Sequence, residues 1–175
     1  MSLVAGASVF GGERIAPASA GGAIGAAALT SVLEELGWAR GGLSLAVEAF
    51  GRRVGVILLG SVWAAWHLVP TFLTVGLFPE LEAAPPLMLV AFVIACLIYR
   101  ELLTRFVERS SSWLAAAAGH VAPNVMLTGL VASGLVILAR PEAWSLFPAP
   151  GGLVFPALAL AAVLALRGRT SRSAA

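Results

Sequence analysis

Apolar runs long enough to cross a bilayer alternate along this chain with short links that hold most of its arginines. A membrane-crossing helix needs about 20 apolar residues. Five stretches approach that length: about Gly21 to Trp38, Val54 to Phe78, Pro86 to Leu103, Trp113 to Leu138, and Leu146 to Leu166. Backbone polar groups in lipid must be satisfied within their own segment, so the pattern predicts helices for all five. The first is the least apolar, rich in Gly and Ala and carrying Glu34 and Glu35. Its Gly21-x-x-x-Gly25 spacing predicts close packing against a neighbouring helix. In the fifth, Pro148, Pro150 and Pro156 confine the expected helix to the later part. Between the first two spans, Leu43, Leu45, Val47 and Phe50 alternate with Ser44, Glu48 and Arg52, which predicts a short amphipathic helix at the interface.

Composition supports this pattern. The 175 residues are 59% hydrophobic and only 11% charged, against roughly 25% charged in soluble domains. They leave room for one domain, residues 1–175. A net charge of +2 gives no reason to expect a nucleic-acid partner; the expected environment is the lipid bilayer. Every basic residue is Arg and every acidic residue is Glu. The single cysteine, Cys96, lies in an apolar run and is expected to be a packing residue. The opening MSLVAGASVF lacks a basic region, so no cleavable signal is expected despite the Ala18-Ser19-Ala20 triplet.

The arginines suggest an orientation. Arg40, Arg52 and Arg53 follow the first span, Arg100, Arg105 and Arg109 the third, and Arg167, Arg169 and Arg172 the fifth. The opposite side has Arg14 and Arg140, with Glu80 and Glu82 in its loop. By the positive-inside rule this places the N-terminus outside and the C-terminus in the cytoplasm of a multi-pass cell-membrane protein.

Polar residues inside such spans need a reason to be there, because a charge at mid-bilayer costs about 2.5–3.5 kcal/mol even on the lenient insertion scale. Both histidines of the chain, His67 and His120, fall in apolar spans. A lone core histidine is most often a packing residue. Two of them, with two glutamates and the intramembrane Asn124, suggest chemistry instead. His120 and Asn124 are four apart, on one helix face, as are Trp63 and His67. Pro123 lacks an N–H and should free the carbonyl of Gly119. Adjacent helical residues lie about 100° apart, so one glutamate is expected to face the site and the other to support it.

A shielded carboxylate can act as a general base on water, and imidazole or amide N–H groups can stabilise an oxyanion. With no Ser or Cys beside either histidine, a covalent nucleophile is not indicated. Glu34, His67 and His120 could instead ligate a catalytic zinc, although the H-E-x-x-H helix is absent. A proton-coupled transporter using Glu34 and His67 fits less well, since no inverted repeat is present.

Three blocks carry a family resemblance. Glu34-Glu35-Leu36-Gly37-Trp38 resembles the start of an E-E-x-x-x-R motif. Trp63-Ala64-Ala65-Trp66-His67 is similar to F-x-x-x-H, with Trp for Phe, and His120-Val121-Ala122-Pro123-Asn124 matches H-x-x-x-N. In this order, over about residues 21–138, they resemble the CAAX-processing and bacteriocin-processing (CPBP, or abortive-infection) intramembrane endopeptidases. The resemblance implies a hydrolase cutting a hydrophobic or lipidated peptide. Glu34 would be the base and Glu35 its support. His67 would hold water or substrate, and His120 with Asn124 would stabilise the oxyanion. Trp63 and Arg40 would serve substrate binding. The motif arginine should fall at position 39, which is Ala39, with Arg40 one residue late. That shift leaves an alternative: a non-catalytic immunity or peptide-binding relative.

Overall fold

The computed structural model describes residues 17–75, 86–132 and 154–170, and among these only Ser111 and Ser112 lie outside a helix. The chain is all-α. Helix α1 (Pro17–Glu35) widens into a π-helical segment, π1 (Leu36–Gly42), and runs on into α2 (Leu43–Pro70) and a second π-helical segment, π2 (Thr71–Val75). Helices α3 (Pro86–Ser110), α4 (Trp113–Ala132) and α5 (Val154–Thr170) follow. Among the described residues, two stretches, Gly21–Leu73 and Pro86–Ser110, are long and apolar enough to cross a membrane. Arg14, the Glu80–Glu82 loop, Arg140, Pro148, Pro150 and Arg172 lie outside the described residues.

The first stretch is not one straight rod. Glu34 and Trp63 are 29 residues apart yet share a hydrogen bond of 2.8 Å, whereas a straight helix would hold them about 43 Å apart. The chain doubles back at Gly51, where φ is 73° and ψ is 161°, a backbone state open to glycine at little cost. Beyond the reversal, Gly55 lies so close to residue 46 that an added Cβ would sit 2.5 Å from the Ala46 carbonyl oxygen. The expected amphipathic segment is the short arm before Gly51. It buries Leu43 against Val56 and Leu59, with Val47 packed alongside, and leaves Leu45 and Phe50 exposed.

Expectation and structure part at Gly21 and Gly25. Both are exposed, and an added Cβ on either would meet nothing within 4 Å. The tight approaches fall at Gly60, against Leu97 and Arg100, and at Gly119, against Phe106 and Leu103. Helix α3 is the centre: α2, α4 and α5 pack on it, and α1 packs along α4. Its Phe92, Ala95, Cys96, Tyr99, Leu102 and Leu103 form the core, with Trp63 from α2, Ala116 from α4 and Val163 from α5. The bland reading of Cys96 as a core residue agrees with this placement.

Among the described residues, polarity is inverted relative to a water-soluble fold. Ser31, Glu35, Thr71, Arg100, Thr104 and His120 are buried, while Leu33, Ile57, Val62, Val69, Val90 and Ile94 point outward. Large contiguous apolar surfaces are rare on soluble monomers.

Proline 123 shows how such a fold satisfies its backbone. The Gly119 carbonyl it frees accepts a hydrogen bond from the Tyr99 hydroxyl at 2.5 Å. Tyr99→Phe should therefore cost about 1–3 kcal/mol, the penalty for an unsatisfied buried acceptor. In a Pro123→Ala background, where a helical N–H can return, the cost should shrink. Equal costs in both backgrounds, measured by unfolding in detergent, would discount the pairing.

Candidate active site

The two glutamates end α1, where regular helix gives way to π1, and their side chains diverge. Glu35 points inward and is 0% exposed. Its Oε1 and Oε2 accept hydrogen bonds from Arg100 Nη2 at 2.7 Å and Nη1 at 2.8 Å. Oε1 also meets His120 Nδ1 at 3.0 Å. This bidentate fork is the strong form of a carboxylate–guanidinium contact.

Glu34 is held differently. Its Oε2 accepts the Trp63 indole N–H at 2.8 Å and lies 4.0 Å from His67 Nε2, with 23% of the side chain exposed. A gap of 4.0 Å is too long for a direct hydrogen bond, yet one water can reach both atoms at about 2.8 Å.

Trp63 joins the two halves. The Arg100 guanidinium carbon lies 4.5 Å from its ring centroid, a desolvated cation–π contact. The rings of His120, His67 and Tyr99 lie 5.1, 5.7 and 6.1 Å from it. Phe92 packs edge-on to His67, and Thr71 Oγ1 donates to the His67 carbonyl at 2.8 Å. One turn beyond His120, Asn124 Nδ2 donates to Ser31 Oγ at 2.9 Å, and Ser31 passes the bond on to the Ala27 carbonyl at 2.7 Å.

The structure thus brings Glu34, Glu35, His67, His120 and Asn124 together from α1, α2 and α4. Two other residues read from sequence fall elsewhere than expected. Trp63, expected to touch substrate, is buried and its N–H is taken by Glu34. Arg40, expected to serve substrate binding, is exposed; the helix continues through Gly42 in a widened form, and Ala39, at the position of the motif arginine, turns inward. The guanidinium that reaches Glu35 is that of Arg100, expected among the arginines that follow the third span. A periodic signal could have found it. Phe92, Cys96, Tyr99 and Leu103 lie three or four residues apart on the buried face of α3, and Arg100 falls on that face.

The remaining charges of α3 point away from the site. Arg52, next to the Gly51 reversal, bridges Glu101 at 3.1 Å and Glu108 at 2.7 Å, and Arg105 pairs with Glu101 at 2.6 Å. Arg109 donates to the Leu166 carbonyl and ties α5 to the same end.

His120 meets Glu35 through Nδ1. Among the described residues no group of three or more His, Cys, Asp or Glu is placed to hold an ion, the set Glu34, His67 and His120 included.

No family model, curated protein or solved structure matches the chain.

Proposed function

We infer that the protein is an intramembrane endopeptidase of the CPBP kind, which hydrolyses a peptide bond in a hydrophobic or lipidated peptide with water activated by Glu34. One observation carries this reading: the adjacent glutamates are held in opposite ways. Glu35 has both oxygens committed to Arg100 and His120. Glu34 is partly exposed and stands one water's reach from His67. A structural pair would gain nothing from this asymmetry, whereas a base and its support require it.

In this reading a water lies against Glu34 Oε2 and His67 Nε2. Glu34 takes one proton as the water oxygen bonds to the carbonyl carbon, and negative charge moves to the carbonyl oxygen. Asn124 has a second amide hydrogen beyond the one given to Ser31, and it can donate to that oxyanion. As the C–N bond breaks, the protonated Glu34 returns its proton to the departing amine. The resemblance of the three sequence blocks and the convergence of their residues support the same conclusion. The guanidinium of Arg100 answers the main objection, the displaced Arg40.

We propose a multi-pass bundle: the inverted polarity and two apolar stretches support membrane crossing. The run of apolar segments in the sequence supports about five spans, while the arginine bias supports an outside N-terminus and a cytoplasmic C-terminus. A reporter fused after Arg172 should then read cytoplasmic, and one inserted at Glu80–Glu82 should read outside. The reverse pattern would discard that topology. The decisive test of the activity is cleavage of an apolar peptide by the reconstituted protein and by its Glu34→Gln variant.

A further inference from the structure

The contact between Glu35 and His120 determines which nitrogen of the imidazole carries hydrogen. Glu35 accepts from both Nη atoms of Arg100, at 2.8 and 2.7 Å, and its Oε1 also lies 3.0 Å from His120 Nδ1. An ionised carboxylate has only acceptors, so the hydrogen in this contact belongs to Nδ1. A neutral imidazole has one N–H, which leaves Nε2 as a lone pair. A lone pair cannot donate to an oxyanion, the role the family resemblance suggests for His120. It can accept a hydrogen bond.

Arg100 is what keeps the arrangement from inverting. A carboxylate enclosed in an apolar core without a counterion takes up a proton rather than stay charged. Its O–H could then donate to Nδ1, and the imidazole would carry its hydrogen on Nε2 instead. The guanidinium is 1% exposed, stacks over Trp63 and spans both carboxylate oxygens.

We propose that Arg100 is a positioning residue that, through Glu35, holds His120 as its Nδ1–H tautomer, so that His120 presents Nε2 to the reaction as a hydrogen-bond acceptor and not as an oxyanion donor. This deepens the hydrolytic reading of the site and rests on it for the consequence to catalysis. The tautomer itself can be tested without any substrate.

The experiment is nitrogen-15 NMR of the full chain, labelled in its histidines and held in detergent, read at a pH where the nitrogen shifts are those of neutral imidazole. Only two imidazoles contribute, and His67→Gln identifies which signals belong to His120. The wild type should show a protonated Nδ1 and a bare Nε2. Arg100→Lys keeps a buried cation and should keep that tautomer, whereas Arg100→Gln should move the hydrogen to Nε2. A wild-type His120 protonated on Nε2 overturns the proposal, and so does an unchanged tautomer in Arg100→Gln. Should Arg100→Gln fail to fold, Arg100→Lys still tests the positioning role. Lysine cannot reproduce the two-pronged contact, so kcat should fall about 10²-fold, the scale of a slight misplacement, with KM little changed. An unaltered kcat in Arg100→Lys would overturn the positioning role. Absence of peptide cleavage by the wild type would instead remove the hydrolytic reading and leave the tautomer result standing.

Discussion

Glu34→Gln is expected to abolish peptide cleavage while leaving the protein folded. Glutamine has nearly the same volume, and its carbonyl oxygen can still accept the Trp63 indole N–H that now reaches Glu34 Oε2. Packing around Trp63 should therefore survive, and an unfolding curve in detergent should barely move. What disappears is the group able to take a proton from the water beside His67. General-base catalysis contributes about 10²–10⁴-fold. The same residue must also return the proton to the leaving amine, so the loss should reach the upper end of that range. Asn124→Ala should behave differently, because it keeps the base and removes one oxyanion donor, with a loss of about 10²–10³-fold. Single-turnover cleavage of an apolar peptide in proteoliposomes distinguishes the two. Full cleavage by Glu34→Gln would sink the mechanism even if the fold stands. Equal peptide binding by wild type and variant, with cutting by neither, would favour a non-catalytic peptide-binding protein.

The residues that meet in this site differ in how clearly the sequence announces them, and spacing explains the difference. The i, i+4 relations of Trp63 with His67 and of His120 with Asn124 are local properties of a helix and translate directly into shared faces. The freed Gly119 carbonyl is equally local, since it follows from Pro123 alone, but its donor Tyr99 comes from another helix and has no sequence signature. Arg100 was obscured by its surroundings. It lies among Glu101, Arg105, Glu108 and Arg109, which together look like a solvated end, although Arg52 pairs with Glu101 and Glu108 on another face of α3. Gly51 reads as an ordinary small residue until the fold requires a reversal there. The motif at Gly21 and Gly25 is the converse case: a spacing that permits close packing does not compel it when no partner approaches.

Separating Glu35 from Arg100 should be the most destabilising single change in the described fold. Arg100→Met leaves a carboxylate with 0% exposure facing only His120, and Glu35→Leu leaves a guanidinium with 1% exposure facing only the Trp63 ring. Breaking a buried ion pair from one side costs about 3–5 kcal/mol, because the group left behind must either stay charged without a partner or change its protonation. Removing both charges is another matter. Apolar side chains of similar volume can replace a buried pair at little cost, or even gain about 1–4 kcal/mol, since desolvation of the ions is avoided. The Glu35→Leu/Arg100→Met double variant should therefore lie close to wild type in stability, offset by the lost cation–π contact of up to about 2 kcal/mol. Unfolding of the four proteins in one detergent completes the cycle, and a double variant as unstable as the sum of the singles would mean the two side chains are not coupled. The same double variant separates fold from chemistry. It keeps a packed core, Glu34, His67 and Asn124, but removes the carboxylate that orders His120. If the pair serves only stability, it should cleave peptide as wild type does. If Glu35 supports catalysis through His120, it should be stable and nearly inactive.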